Sequence, residues 1–215
     1  MEIPYADRTL AVCIKPAGVL STDEPGGVPD LLRQELGDET VRTVHRLDRV
    51  VGGVMLLART KRAAAELSQQ LRQDHFGKTY LAVVSGVPET PAGTLRHFLH
   101  RDKAEKKTYA VAEGTAESQE AILDFEVLET VPGHSLLKIR LRTGRTHQIR
   151  CQLSHMGWPI VGDKKYGSGE PMAEGIALWS HSIAFTHTRT GERMSFSHNP
   201  PGTWPWTLFS RLSGA

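Results

Sequence analysis

The chain has 215 residues, of which 39% are hydrophobic and 23% charged, and a formal charge of +2. That is ordinary globular composition, and no run approaches the roughly 18 uninterrupted apolar residues of a membrane span. Glu2 and Asp7 stand where a secretory signal would be basic, so a cytoplasmic protein with a single domain over residues 1–215 is expected. Cys13 and Cys151 lie far apart with no CxxC pair, and read as buried free thiols.

In chain order, residues 10–14 predict a strand ending in the turn Lys15-Pro16-Ala17-Gly18, and Asp30 is expected to cap a short helix to Leu36 that Gly37 closes. Residues 41–44 and 54–58 predict two short strands, so the loop from His45 to Gly53 projects from a rigid support. Thr60 is the expected cap of a helix to His75, with Ala64, Leu67 and Leu71 on one face and Gly77 as the stop. A strand over 78–85 follows. Residues 121–128 and 136–142 alternate as strands, the second with Leu137, Ile139 and Leu141 inward and Lys138, Arg140 and Arg142 outward. After the Thr143-Gly144-Arg145 turn, Thr146 is expected to cap a helix ending at Gly157-Trp158-Pro159. Ile149 and Leu153 would face the core, and Arg150 shares another face with His147 and Ser154. Strands around 177–185 and 194–198 precede a Trp204-Pro205-Trp206 tail expected to pack down. Strands outnumber helices and arrive in antiparallel-looking runs, which suggests an α+β fold; no internal repeat is present.

The mild total charge hides an uneven distribution. Between Lys138 and Lys165 seven Lys and Arg face one acid, Asp163, whereas residues 21–40 are acidic. A second cluster, Arg96, Arg101, Lys103, Lys106 and Lys107, lies in a polar segment with His97 and His100. One-sided clustering is the footprint expected of phosphate binding. Glycine-rich GxxxxGK[ST] and GxGxxG loops and a GxSxG elbow are lacking, which excludes nucleotide hydrolysis, dinucleotide redox chemistry and serine hydrolysis of the usual kinds. The ten histidines lack an HExxH context or nearby carboxylates, so no metal is expected.

The most informative stretch is Val44-His45-Arg46-Leu47-Asp48-Arg49, which strands one carboxylate between two arginines at the edge of two apolar runs. An arginine within a few ångströms lowers a carboxylate pKa by about 1–3 units, so Asp48 is expected to stay ionised, as a nucleophile must.

His45-Arg46-Leu47-Asp48 followed by Gly53-Val54-Met55-Leu56-Leu57-Ala58 resembles the catalytic loop of RNA pseudouridine synthases of the RluA type. Lys78-Thr79-Tyr80-Leu81-Ala82-Val83-Val84-Ser85-Gly86 resembles that family's tyrosine strand, and Gly144-Arg145-Thr146-His147-Gln148-Ile149-Arg150 its third motif. Pro159-Ile160-Val161-Gly162-Asp163 and Tyr166-Gly167 extend the match, so the resemblance runs in family order from Lys15-Pro16 to the Trp-Pro-Trp tail. It implies a pseudouridine synthase fold: a mixed, mostly antiparallel sheet with flanking helices and a central catalytic cleft. It also implies a reaction, in which uridine in RNA loses its N-glycosidic bond, the uracil rotates, and carbon 5 rejoins the ribose, with no cofactor.

The resemblance carries roles to particular residues. Asp48 would be the essential carboxylate, attacking the ribose C1′ or removing a C2′ proton to give a glycal. Tyr80 would lie against the uracil as a candidate for removing the C5 proton, although a phenol of pKa near 10 is a poor base at pH 7 unless perturbed. Arg150 would pair with Asp48, holding it ionised and aimed. Arg46 would enter the space left by the flipped nucleotide, stacking while it binds phosphate. His45, Arg145 and His147 complete the substrate-binding candidates, the two histidines chiefly as loop and helix-start supports. The implied partner is a transfer- or ribosomal-RNA stem-loop, with no DNA, no membrane and a monomeric protein. No room is left for a separate N-terminal RNA-binding domain, so the catalytic domain is expected to find its RNA itself.

Two departures from the family pattern stand out. Val51-Gly52 replaces the commoner Thr-Ser pair, removing two hydroxyls that could brace the loop, and Cys151-Gln152 replaces Val-His after Arg150. Two other classes use some of the same parts. A catalytically silent RNA-binding or RNA-folding protein would keep the basic faces but has no need of the Asp, Tyr and Arg set. A glycosidase-like hydrolase needs a second carboxylate, and none accompanies Asp48 in its motif.

Overall fold

The computed structural model describes residues 1–73 and 75–212. In chain order its elements are β1 (Tyr5–Ala6), β2 (Leu10–Lys15), α1 (Val28–Leu36), β3 (Arg42–Thr43), β4 (Gly52–Ala58), α2 (Lys61–Arg72), β5 (Gly77–Ser85), β6 (Ala92–Asp102), β7 (Lys107–Val111), β8 (Gln119–Val131), β9 (His134–Leu141), α3 (Gln148–His155), β10 (Leu178–Thr186) and β11 (Arg193–Ser197). Three short 3-10 turns cover Lys164–Tyr166, Trp206–Leu208 and Ser210–Leu212. The fold is α+β, and the residues divide into two compact units, one of 1–79 with 179–200 and the other of 80–178 with 201–215.

The first unit is a mixed sheet. Its strands run in the order β1-β2-β4-β10, with β3 also on β4 and β11 on β10; β2 and β4 are antiparallel, whereas β4 and β10 are parallel. All seven residues of β4 are buried, as an apolar run such as Val54 to Ala58 requires when both faces are covered. Ala63 and Leu67 of α2 pack with Leu10, Val12, Leu56 and Phe185 in one core. The Thr60 hydroxyl accepts from Ala63 N, the expected cap, and Gln70 holds α2 to β10 by bonding both the N–H and the C=O of Thr186. The helix stops at Arg72 rather than reaching His75; Asp74 lies outside the described residues. Gly37 closes α1 in the left-handed region as expected, but its cap is Gly27. Asp30 sits a turn further in, where its carboxylate accepts from Gly26 N.

The second unit orders its strands β5-β9-β8-β6-β7. The β6–β7 hairpin is the main element missed in the sequence, where 96–107 reads as a polar segment. Only Leu95 and Leu99 of β6 are fully buried, because its other residues carry Arg and His onto half-buried faces and blur the period of two. In β9, Leu137 and Ile139 are buried while Lys138 and Arg140 are exposed, as the alternation predicts. Ile149 and Leu153 of α3 are buried, and Gln152 reaches from the same helix to the carbonyls of Leu95 and Ala121. That bond pair gives the Gln152 departure a role in joining α3 to β6 and β8. Of the tail, Trp206 packs down and Trp204 stays exposed. Both cysteines are free and buried, and burial pushes the Cys13 thiol up to about 12 and Cys151 to about 11. Among the described residues no helix is long and apolar enough to cross a membrane.

Candidate active site

His45, Arg46 and Asp48 share one loop of the first unit, and that loop is tied down through its backbone. Ser21 Oγ donates to the Leu47 carbonyl at 2.8 Å and accepts from Leu47 N at 3.1 Å, so the residue before Asp48 is held at both polar groups. After Asp48, Gly18 N donates to the Arg49 carbonyl at 2.7 Å, and Arg49 Nε returns a bond to the Gly18 carbonyl at 2.9 Å. Val51 N closes a turn on the Asp48 carbonyl at 3.0 Å. Half-buried Asp48 is thus carried on a backbone with its partners already made, the preorganisation that a reacting carboxylate needs.

Beneath this loop lies Lys15, one of the largest fully buried side chains among the described residues. Its ammonium donates to the carbonyls of Val51 at 2.7 Å, Pro16 at 3.0 Å and Arg49 at 3.3 Å, so three donors meet three acceptors. Burial lowers its pKa from 10.5 to about 8, and the Asp48 charge opposes that fall. In the sequence Lys15 reads as the first residue of the turn that ends a strand. The usable signal is a lysine directly after the five-residue run Leu10 to Ile14, where an amine must find partners if it is buried at all.

Val51-Gly52, in place of two hydroxylated residues, also finds its reason here. Val51 is buried and offers its carbonyl to Lys15, and a Cβ at Gly52 would run into the Trp179 ring. Gly53 has φ 119° with the Ser180 backbone against it, so only glycine fits there. The loop is braced by Lys15 and Ser21 rather than by hydroxyls following Asp48.

His45 is 8% exposed. Its Nε2 accepts from Leu56 N at 3.0 Å, its ring lies 5.5 Å from Phe76, and burial pushes its pKa down to about 3. It is a neutral brace between loop and strand, in line with its reading as a support and away from direct substrate contact. Arg46 is exposed at the loop's tip.

Tyr80, Arg145, His147 and Arg150 belong to the second unit. Tyr80 on β5 is 6% exposed. Arg150 on α3 is equally buried, and its Nε and Nη2 bond both oxygens of Asp163 at 2.7 and 2.9 Å, a bidentate pair in which Asp163 is 1% exposed. In the sequence Asp163 stands as the single acid of a basic stretch and as the last residue of the Pro159 to Asp163 motif, without a role of its own.

The face of α3 carrying His147, Arg150 and Ser154 is covered by Tyr166. His147 Nδ1 lies 2.9 Å from its hydroxyl, the Arg150 guanidinium sits 5.0 Å from its ring centre, and Ser154 Oγ donates to its carbonyl at 2.6 Å. The helix cap is His147 rather than Thr146. His147 takes φ 54°, sparsely populated for a residue with a Cβ, and its side chain does not cap the helix; Gln148 Oε1 instead accepts from Arg145 N and from the Thr143 hydroxyl. Arg145 is exposed, with Nε on the Glu120 carbonyl at 2.9 Å.

Comparisons with known proteins identify the family. The model of the family described as RNA pseudouridylate synthase matches residues 9–155, which include the Asp48 loop, Tyr80 and Arg150. The chain is 32% identical over 208 residues to a Bacillus subtilis (strain 168) protein named Uncharacterized RNA pseudouridine synthase YlyB, across 91% of this chain and 68% of that protein. It is 30% identical over 230 residues to Ribosomal large subunit pseudouridine synthase D of Pseudomonas aeruginosa, across 97% and 71%. The chain therefore spans about two thirds of the length of these relatives. In fold it is similar to Human RNA Pseudouridylate Synthase Domain Containing 4, with TM-score 0.78 and 22% identity over 96% of this chain and 91% of that one. Matching through most of its length and similar in fold, the chain belongs to the RNA pseudouridylate synthase family, whose members are RNA-modifying isomerases.

Proposed function

We propose that this protein converts specific uridines of structured RNA to pseudouridine, with residues 1–215 acting as one catalytic domain. The observation that carries the reading is Asp48 at the centre of a family-matched loop whose backbone is held at Leu47, Arg49 and Val51. Asp48 is the essential carboxylate, acting at the ribose to release the uracil. A stacked uridine hides both the C1′ and C5 atoms, so the nucleotide must first leave the helix, at a cost of a few kcal/mol that new contacts offset. Arg46, exposed at the loop's tip, fills the vacated space. Arg150 holds the carboxylate ionised, and the Asp163 pair fixes the direction in which its guanidinium points. Tyr80 lies against the uracil and is the candidate for removing the C5 proton. His147 and Arg145 support the RNA backbone around that site. The reaction is redox-neutral and needs no group donor. Ribosomal RNA is the first substrate to test, because one relative is named for the large ribosomal subunit.

The test is carbodiimide mapping of pseudouridine in total RNA from cells lacking the protein, restored with wild type or Asp48→Asn. A site that disappears and returns only with wild type supports the reading and names the substrate. If no site changes, the silent RNA-binding alternative takes its place.

A further inference from the structure

A basic cavity lies in the second unit; it shares Arg145 with the RNA-binding residues named above and adds Arg101 and Lys103. A cavity of about 510 Å³ opens where the β6–β7 hairpin, the turn before β8 and the turn before α3 meet, and Arg101, Lys103 and Arg145 line it. Its volume falls within the roughly 300–1,000 Å³ of small-ligand pockets, which suits one unpaired nucleotide.

Charge is what separates this cavity from the surrounding surface. On and beside these strands three cations are paired: Arg96 with Glu120 at 2.5 Å, Arg142 with Asp124 at 2.7 Å and Lys138 with Glu126 at 3.9 Å. Arg101, Lys103 and Arg145 have no carboxylate partner among the described residues, and Glu117 is the single acid of the lining. Holding three cations around one concavity costs like-charge repulsion, which a polyanion would relieve. The rest of the lining is mainly hydroxyl and amide, from Thr108, Ser118, Gln119 and Thr146, with Leu99 as the one apolar side chain and no aromatic on which a base could stack. Such a lining grips sugar and phosphate and is indifferent to the base.

The cavity is also linked to Arg150 through packed side chains. Arg101 Nη1 lies 3.3 Å from His147 Nδ1, His147 meets the Tyr166 hydroxyl, and Tyr166 lies under the Arg150 guanidinium. Arg101 can only donate, so the bond between them has Nδ1 as its acceptor.

We propose that this cavity is a subsite for the sugar-phosphate backbone of an unpaired nucleotide flanking the target, held by Arg101, Lys103 and Arg145 without regard to sequence. It rests on the proposed function for the word target alone; backbone binding stands or falls by itself.

The probe is a fluorescein-labelled twelve-nucleotide oligoadenylate RNA, which contains no uridine, read by anisotropy across a salt series with wild type, Arg101→Gln/Lys103→Gln and the remote control Arg62→Gln. The double variant is expected to bind on the order of tenfold more weakly. Its slope of log affinity against log salt should be shallower by about 1.4, two phosphates at roughly 0.7 each, while Arg62→Gln matches wild type. Oligocytidylate should bind as oligoadenylate does. Should circular dichroism show the double variant altered, Lys103→Glu, at an exposed position, replaces it with the same expectation. Equal affinity and slope for wild type and cavity variants, or no binding by wild type, overturns the proposal. Pseudouridine formation by wild type, measured alongside, separates the two ideas. An active enzyme whose cavity variants bind normally loses the subsite and keeps the function; an inactive one whose variants lose binding does the reverse.

Discussion

The two regions that carry the candidate catalytic charges are held in opposite ways. Around Asp48 the fixed groups are backbone: Leu47 by Ser21, Arg49 by Gly18, and three carbonyls by the Lys15 ammonium. Around Arg150 they are side chains, the buried Asp163 carboxylate on two of its nitrogens and the Tyr166 ring against its face. A residue positioned through its backbone can lose its charge and leave the fold intact. One positioned through a buried ion pair cannot, because removing either partner strands the other in a poorly solvating interior.

The largest effect should fall on activity alone. Asp48→Asn is expected to lower pseudouridine formation on the order of 10⁴-fold. Its unfolding free energy should stay within about 1 kcal/mol of wild type, since the loop is held through the backbone of Leu47, Arg49 and Val51. The second effect reverses that pattern: Asp163→Ala should destabilise the protein by about 3–5 kcal/mol in urea unfolding, as the cost of breaking a buried bidentate ion pair. A loss below about 1 kcal/mol there would remove the contrast. Gly52→Ala should cost about 1–3 kcal/mol, because its Cβ meets the Trp179 ring and either the loop or the ring must shift.

Lys15 sharpens the comparison through pH. Its folded pKa of about 8 lies below its ordinary 10.5, so between these values the unfolded chain binds more protons and this group makes the fold more stable as pH rises. Over the same range the amine loses one of its three donors and the positive charge beneath Asp48. Activity is therefore expected to fall above about pH 8 while this group's contribution to stability increases, and the Lys15→Met variant should lack that inflection in kcat/KM. Thr60→Ala supplies the smallest effect, about 1 kcal/mol for a lost helix cap far from either charge.

What could be read in the sequence follows the same division. The Asp48 loop, β4, the core face of α3 and the Thr60 cap were legible because each depends on local pattern: an apolar run, a helical spacing or a capping hydroxyl. The spacing of His147, Arg150 and Ser154 even required something to cover their shared face, though not that it would be Tyr166. Lys15, Ser21 and Asp163 were not legible as supports, since their partners lie 13 to 36 residues away and depend on the tertiary fold. The cap at His147 escaped for a backbone reason. Nothing in the side chain announces φ 54°, and Thr146 is the better capping residue by composition. The β6–β7 hairpin was hidden because a half-buried strand carrying histidine and arginine lacks clean alternation.

The most direct measurement is release of tritium from total RNA labelled at uracil carbon 5 and prepared from cells lacking the protein, since that hydrogen must leave when carbon 5 takes the glycosidic bond. Purified wild type is expected to release it, and folded Asp48→Asn, with a matching thermal transition, is expected to release none above background. Equal release by both proteins, or none by wild type, would contradict a catalytic carboxylate held through its backbone.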